Sequence, residues 1–337
     1  MKPKVCITRK IPESGINLVR EHCDVTVYPG EGPLKGDELI RHASTADGII
    51  CLPGDIIDKT FLNAASHLKV VSTSSVGYEH IDIQEATKRG IYIGYTPGIL
   101  TDATADLAFT LLLSMARKIS QCDQFLRAGK WKAIGSPLHL FGTSAWGTTL
   151  GIIGIGRIGK AMAERARGFS MKVLYTDSQR LAPAEEENFN IEYRFLDDLL
   201  QESDFVSLHT PLTPDTRHLI NAEKLKLMKP SAILINTARG SVVDEEALVA
   251  ALKEHWIAGA ALDVYEQEPI DPKNQLLALD NVVLLPHMGS ATTQTRSSMS
   301  ERAARNLLAV LRGTPPPSWL NPEVENIRPL SEVKMIP

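Results

Sequence analysis

The sequence lacks any run of apolar residues long enough to cross a membrane. Its most apolar stretch, "ADLAFTLLLSMA" (105–116), is about a dozen residues and contains Asp106, against the roughly 20 that a spanning helix needs. Cysteine is scarce. Cys6, Cys23, Cys51 and Cys122 are scattered, with no CxxC pair, so neither a disulfide framework nor a metal site is expected, and a cytoplasmic protein with reduced, buried thiols is. No block of basic residues interrupts a net charge of −4, which argues against nucleic acid as a partner. The opening "MKPKVCITRK" starts basic but runs into a strand-like stretch with no apolar signal core. Internal repeats and low-complexity segments are also missing.

What remains is an ordinary globular composition, 43% hydrophobic and 23% charged over 337 residues, a length that suggests two domains. Short β-rich runs alternate with helical patterns. In the first hundred residues the strand candidates are "KVCITR", "CDVTVYP", "DGIICLP", "KVVSTSS" and "IYIGYT". A second series holds "TLGIIGIG", "MKVLYT", "DFVSLH", "SAILINT", "GAALDV" and "NVVLLP". Such alternation implies α/β architecture with parallel sheets. Two longer helical patterns flank the second series, "TDATADLAFTLLLSMARKI" and the stretch from about Ala291 to Arg312. If both are crossovers, the second domain, residues 101–287, is inserted into a first built from 1–100 and 288–337. The tail after Gly313, with "TPPP", reads as an extended strap.

"GIIGIGRIGKAMAERARGF" places Gly154, Gly156 and Gly159 in GxGxxG spacing between an apolar strand and a helix. Gly154 permits a tight turn, Gly156 lets backbone approach a pyrophosphate, and Gly159 lets helix and strand pack closely. The helix start, at Arg157 and Ile158, offers free N–H groups to phosphate. Asp177 ends the next strand, where a carboxylate meets the adenosine ribose hydroxyls. The same carboxylate would repel a 2′-phosphate, so NADH is expected over NADPH. Ser178 and Arg180 favour the phosphate and keep NADPH open.

Ligands of open α/β sheets gather at the carboxyl ends of the strands. Those ends carry His209, Thr210 and Pro211 after "DFVSLH", Arg239 after "SAILINT", Glu268 after "GAALDV", and His287, Gly289 and Ser290 after "NVVLLP". Arg239, Glu268 and His287 suit hydride transfer to a 2-keto acid. His287 donates the proton that the new alkoxide needs, Glu268 supports the imidazolium, and Arg239 grips the substrate carboxylate bidentately. Asp263 would reach the nicotinamide carboxamide. Further cofactor contacts are expected at Thr216, Thr237 and Ala238. Each of the three also has a structural alternative: Arg239 pairing Asp244 or Glu245, Glu268 capping a turn, and His287 as a satisfied core histidine.

"GIIGIGRIG", "TARGSVVDEEAL", "ALDVYEQEP" and "LLPHMGSAT" resemble the signatures of the D-isomer-specific 2-hydroxyacid dehydrogenases, and the resemblance covers nearly the whole chain. It implies a flavodoxin-like substrate domain split between the chain ends, an inserted Rossmann-like dinucleotide-binding domain, and a homodimer. It also implies an Arg–Glu–His catalytic set on Arg239, Glu268 and His287. "STSSVGYEHIDI" and "GYTPGILTDATADLA" are most similar to glyoxylate/hydroxypyruvate reductases. That likeness implies a substrate carboxylate held by backbone N–H groups around Val76 and Gly77, with Leu52 lining the pocket. One departure stands out: His139 occupies the place in "SPLHLFG" where such reductases often carry a Trp that enters the partner's site. The dimer contact is expected on the helix face bearing Leu107, Leu111 and Met115, and on the loop around His139. D-Lactate, D-3-phosphoglycerate and phosphite dehydrogenases are alternatives within the family. A dinucleotide-sensing transcriptional co-regulator is the alternative outside enzymology.

Overall fold

Apolar runs with period-free burial make the strands of both sheets. The computed structural model describes residues 2–135 and 137–337, and the chain divides into two units, 1–100 with 290–337, and 101–289.

The first unit holds β1 (Lys4–Ile7), β2 (Asp24–Val27), β3 (Gly48–Cys51), β4 (Val70–Thr73) and β5 (Tyr92–Gly94). All pairs are parallel, in the order β2-β1-β3-β4-β5, which is the flavodoxin-like order. Every residue of β3 and β4 is buried, as expected where helices cover both sheet faces. Ile7, Ile50 and Tyr92 pack with Ile16, Leu307 and Leu311 of the helices Glu13–Arg20 and Thr293–Leu311. Ile49, Val71 and Ile93 face the other way, toward Leu39, Phe61 and Ala86.

The tail departs from the strap that its prolines suggest. Trp319 stacks on Tyr92 with ring centroids 5.8 Å apart. The buried Asn321 accepts the Ile93 N–H at 2.9 Å and donates to the Ile91 carbonyl at 2.9 Å. A short helix follows at Leu330–Val333, and Val324, Leu330, Val333 and Ile336 join the core. These apolar residues are spaced too irregularly to register as an element, so packing is invisible until Asn321 and Trp319 are placed.

The second unit holds β6 (Thr149–Ile153), β7 (Lys172–Thr176), β8 (Glu192–Tyr193), β9 (Phe205–Leu208), β10 (Ile233–Asn236), β11 (Gly259–Leu262) and β12 (Val282–Leu284). Its parallel order is β12-β11-β10-β9-β6-β7-β8. The order reverses at β6, the Rossmann arrangement, with a crevice at the β6/β9 boundary. β8 is too short to carry a periodic signal, and the sequence gives no sign of it. The long helix runs Thr101–Ala116 and stops before Lys118, whose φ is +50°. A separate helix, Ile119–Arg127, follows. The face expected to meet a partner is not free: Leu111 and Met115 are buried in this unit's own core, with Leu107 packed against it.

Candidate active site

The β6 turn is shaped for close backbone approach. Gly154 has φ +94°, and a Cβ there would lie 2.7 Å from the His209 carbonyl carbon. A Cβ on Gly159 would collide with the Gly154 carbonyl oxygen, while Gly156 faces open space. Gly156 precedes the helix Arg157–Arg167 and supplies no side-chain cap, so the first N–H groups, beside the exposed Arg157 and half-buried Ile158, are open to an anion. Asp177 is tied to this turn. One carboxylate oxygen accepts the Ile155 N–H at 2.8 Å and the other accepts the Ser178 hydroxyl at 3.0 Å.

Next to β6, the His209 N–H donates to the Ile153 carbonyl at 2.7 Å, and the ring Nε2 lies 2.9 Å from the Ser207 hydroxyl. Burial pushes the imidazole down to about 4. Thr210 and Pro211 follow, and the Thr216 hydroxyl closes their loop by donating to the Pro211 carbonyl at 2.6 Å. Beyond β10, Ala238 is buried, and the buried Thr237 hydroxyl has no hydrogen-bond partner among the described residues. A glycine cradle, an uncapped helix start and an orphaned hydroxyl together fit a dinucleotide.

Asn236, which the sequence reading passed over, braces the turn that carries Arg239. Its side chain accepts the Ala238 N–H at 3.0 Å and donates to the Arg239 carbonyl at 2.9 Å. The Arg239 guanidinium also donates to the Ala238 carbonyl at 2.7 Å. Gly240 lies flat on the Tyr265–Glu266 peptide, where any Cβ would collide with the Tyr265 carbonyl. That contact brings the Arg239 turn beside the loop after β11. There, one Glu268 oxygen accepts the Tyr265 N–H at 3.1 Å, and the other sits 2.6 Å from His287 Nδ1. Burial alone would raise the Glu268 carboxyl. The bond and charge of His287, the Tyr265 N–H and Arg239 outweigh burial and hold it below the usual carboxylate range. The Glu268 and His287 side chains remain 35% and 45% accessible.

Asp263 plays a part that its position alone did not reveal. Its oxygens accept the Met288 and Gly289 N–H groups at 2.6 and 2.7 Å, and its carbonyl accepts the His287 N–H at 3.0 Å. These bonds hold His287 in the left-handed region, φ +55°, a conformation that costs energy for a non-glycine residue. Close by in sequence, Asp244 caps the helix Glu245–Lys253, and Glu245 accepts from the Glu266 N–H and Asn274.

Arg239, Glu268, His287, Asp263, Gly289 and the glycine turn thus share the second unit. Leu52, Val76, Gly77 and the buried Ser290 belong to the first. Leu52 N–H is fixed by Asp55, a fully buried carboxylate that also accepts from Thr8 and Leu34. Val76 and Gly77 are half-buried, and their N–H groups have no protein acceptor among the described residues. His139 is exposed in a short turn, its ring edge-on to Phe125 at 5.6 Å. Among the described residues, no group of three or more His, Cys, Asp or Glu could hold a metal ion. Nor, among the described residues, is any helix long and apolar enough to cross a membrane.

Residues 109–289 match the family described as D-isomer specific 2-hydroxyacid dehydrogenase, NAD binding domain. A glyoxylate reductase of Thermofilum pendens is 52% identical over all of this chain and 99% of its own. A solved structure from Thermus thermophilus superposes with a TM-score of 0.88 at 44% identity, covering 94% of this chain and 99% of that one. An NADPH-dependent glyoxylate/hydroxypyruvate reductase of Sinorhizobium meliloti, solved with NADP and malonate, superposes at 0.83 with 31% identity over 100% and 99% of the two chains. Full-length identity at this level, on a Rossmann unit with a strand-end Arg, Glu and His, makes the chain a member of the D-isomer-specific 2-hydroxyacid dehydrogenases, an oxidoreductase that uses a nicotinamide dinucleotide.

Proposed function

We propose that this enzyme reduces glyoxylate, and the related hydroxypyruvate, to the 2-hydroxy acid with NADH. The observation that carries the reading is the 2.6 Å pair between Glu268 and His287 Nδ1, set beside Arg239 in the dinucleotide-binding unit. The glyoxylate reductases at about half identity along the full length support the substrate class.

A nicotinamide dinucleotide, when bound at the glycine turn, would supply the hydride for the carbonyl carbon. His287 gives the Nε2 proton to the carbonyl oxygen as charge develops there, because Nδ1 is already committed to Glu268. The Glu268 carboxylate stabilises the imidazolium before transfer, and solvent reprotonates the ring after product leaves. Arg239 polarises the carbonyl and grips a carboxylate, and in the first unit the Val76 and Gly77 N–H groups are donors suited to a carboxylate. The first unit is then the substrate domain. Leu52 walls a site suited to two or three carbons.

The protein is a homodimer in this reading. Its contact lies not on the buried helix face but on the exposed Ile119, Leu126, Trp131, Leu138, Phe141 and Trp146, each more than half accessible, an apolar series unusual for a monomer. The four free thiols suit a cytoplasmic setting. Oxidation of reduced cofactor, followed by absorbance against a panel of 2-keto acids, tests the activity. No turnover of glyoxylate or hydroxypyruvate with either cofactor would overturn it. Light scattering tests the assembly, and a monomer at micromolar concentration would refute it.

A further inference from the structure

The loop after β4 contains a line of hydrogen bonds whose direction is fixed by chemistry. The Ser75 hydroxyl donates to the Gly77 carbonyl at 2.6 Å, and a carbonyl can only accept. With its single proton used there, Ser75 must accept from the Thr73 hydroxyl, 2.7 Å away. Thr73 has then spent its own proton, so its oxygen must accept from His80 Nε2 at 3.3 Å. The ring nitrogen therefore carries hydrogen. The line runs one way, from His80 through Thr73 and Ser75 to the Gly77 carbonyl.

Its surroundings favour that direction. Thr73 is fully buried and Ser75 nearly so, where an unmade hydrogen bond is costly. The Cys51 sulfur, 3.9 Å from His80 Nε2, is held as the neutral thiol, its pKa raised by burial and then by Asp55. The thiol thus places no negative charge beside the ring. The His80 carbonyl accepts the Ile57 N–H at 2.8 Å, which ties the far end of the loop to the neighbouring segment.

We propose that His80, Thr73 and Ser75 are positioning residues for the carboxylate-binding turn at Val76 and Gly77. The inference rests on the assignment of that turn given above. Glycine has wide conformational freedom, so a binding turn built on Gly77 needs an outside restraint. The Ser75 hydroxyl fixes the peptide that follows Gly77. The Thr96 N–H donates to the Ser75 carbonyl at 3.0 Å and fixes the peptide before Val76. Between these two anchors the unpartnered Val76 and Gly77 N–H groups hold one orientation, ready for an anion. Preorganised donors bind an anion better than donors that must first be ordered. Because His80 donates from Nε2 both as neutral tautomer and as cation, the line survives protonation of the ring.

The experiment uses the full-length enzyme and the 2-keto acid that the wild type reduces best. Ser75→Ala, Thr73→Val and His80→Phe break the line at successive links. Each should raise KM for the keto acid, and Ki for oxamate, about tenfold, the effect of losing one ordered hydrogen bond. The kcat should change by less than about threefold, and the dissociation constant for reduced cofactor should not move. Thr73→Ser and His80→Gln restore a donor and should recover most of the affinity, which separates positioning from a merely structural role. Unchanged KM and Ki in Ser75→Ala and Thr73→Val would overturn the proposal while leaving the reductase reading intact. So would losses that track a fall in Tm and are not rescued by His80→Gln. Absence of any keto-acid turnover in the wild type strikes the reductase reading instead; direct titration with oxamate then decides this one, with tenfold weaker binding to Thr73→Val expected and equal binding overturning it.

Discussion

Cofactor choice hangs on two charges at the end of β7. Asp177 is not a mobile surface acid, because one oxygen is anchored on the Ile155 N–H at 2.8 Å. Swinging aside to admit a 2′-phosphate would cost it that bond. Arg180, the obvious counter-charge, is already held by both oxygens of Glu186, at 2.8 and 2.9 Å, with its guanidinium over the Tyr193 ring. The Glu186 carboxyl is pushed down to about 2 by the bonds from Arg180 and then Tyr175, so it stays ionised throughout the physiological range. Bringing Arg180 to a phosphate means breaking that pair. Two unit charges 4 Å apart interact by about 1 kcal/mol in water and about 4 kcal/mol near a protein surface. Asp177 is half-buried, so repulsion of the phosphate falls between these limits. The expected preference for NADH is tenfold or more, on the order of 1.4 kcal/mol. The assay is kcat/KM for both cofactors in wild type, Asp177→Ala, Arg180→Ala and Glu186→Gln. Asp177→Ala should move preference toward NADPH by about tenfold or more. Arg180→Ala should change little, and Glu186→Gln, which frees Arg180, should improve NADPH use. The reasoning fails if the wild type favours NADPH and loses that preference in Arg180→Ala.

Two further predictions concern the proton-transfer pair, and a third the substrate anchor. His287→Asn should lower kcat about 10²- to 10⁴-fold with cofactor binding intact; near-normal turnover would remove His287 as proton donor. Glu268→Gln should keep measurable activity but shift the pH–rate profile toward acid, since the imidazolium loses its carboxylate; a profile superimposable on wild type would show that the 2.6 Å contact is idle. Arg239→Lys keeps charge but loses the planar fork, so KM for the keto acid should rise steeply with Tm little changed; an early-melting variant with normal kinetics would make Arg239 a structural residue.

Strand positions and the glycine turn were legible because both depend on local signals: runs of Ile and Val, and glycines spaced where backbone must come close. The 2.6 Å approach of Glu268 to His287 was foreseeable because strand ends in an open sheet share one edge. What escaped depended on contacts far apart in sequence. Asn236 reads as an ordinary polar residue ending β10, yet both its amide atoms brace the Arg239 turn. Asp263 reads from its strand-end position as a cofactor contact, and nothing local shows that its oxygens also accept two N–H groups 25 and 26 residues on. The apolar face of the helix Thr101–Ala116 looked surplus because a sequence does not show what covers it. Burial is the common missing term, and it also decides the charge of His209.

His209 stands at the β9 end, directly behind the Gly154 turn, and its position invites the idea that it offers positive charge to the phosphates. Burial instead pushes its pKa to about 4 from an ordinary 6.5, so it is neutral at physiological pH and brings no positive charge there. The depressed value has a stability consequence whose sign is definite. Between pH 6.5 and 4 the unfolded chain binds a proton at this site that the folded chain does not, so acid favours unfolding there. The contribution is fully present above about pH 6.5, declines as pH falls, and is gone below about 4, amounting to about 3 kcal/mol as an upper figure for a ring that keeps some solvent contact. His209→Gln retains a partner for Ser207 but cannot titrate. Its unfolding free energy should therefore fall less than that of the wild type across this range. NMR titration of the ring should show no protonation of His209 until well below about pH 5. A midpoint near the ordinary 6.5, or parallel acid losses in wild type and variant, would mean that the ring is solvated enough to carry charge, and His209 would return as a candidate phosphate contact.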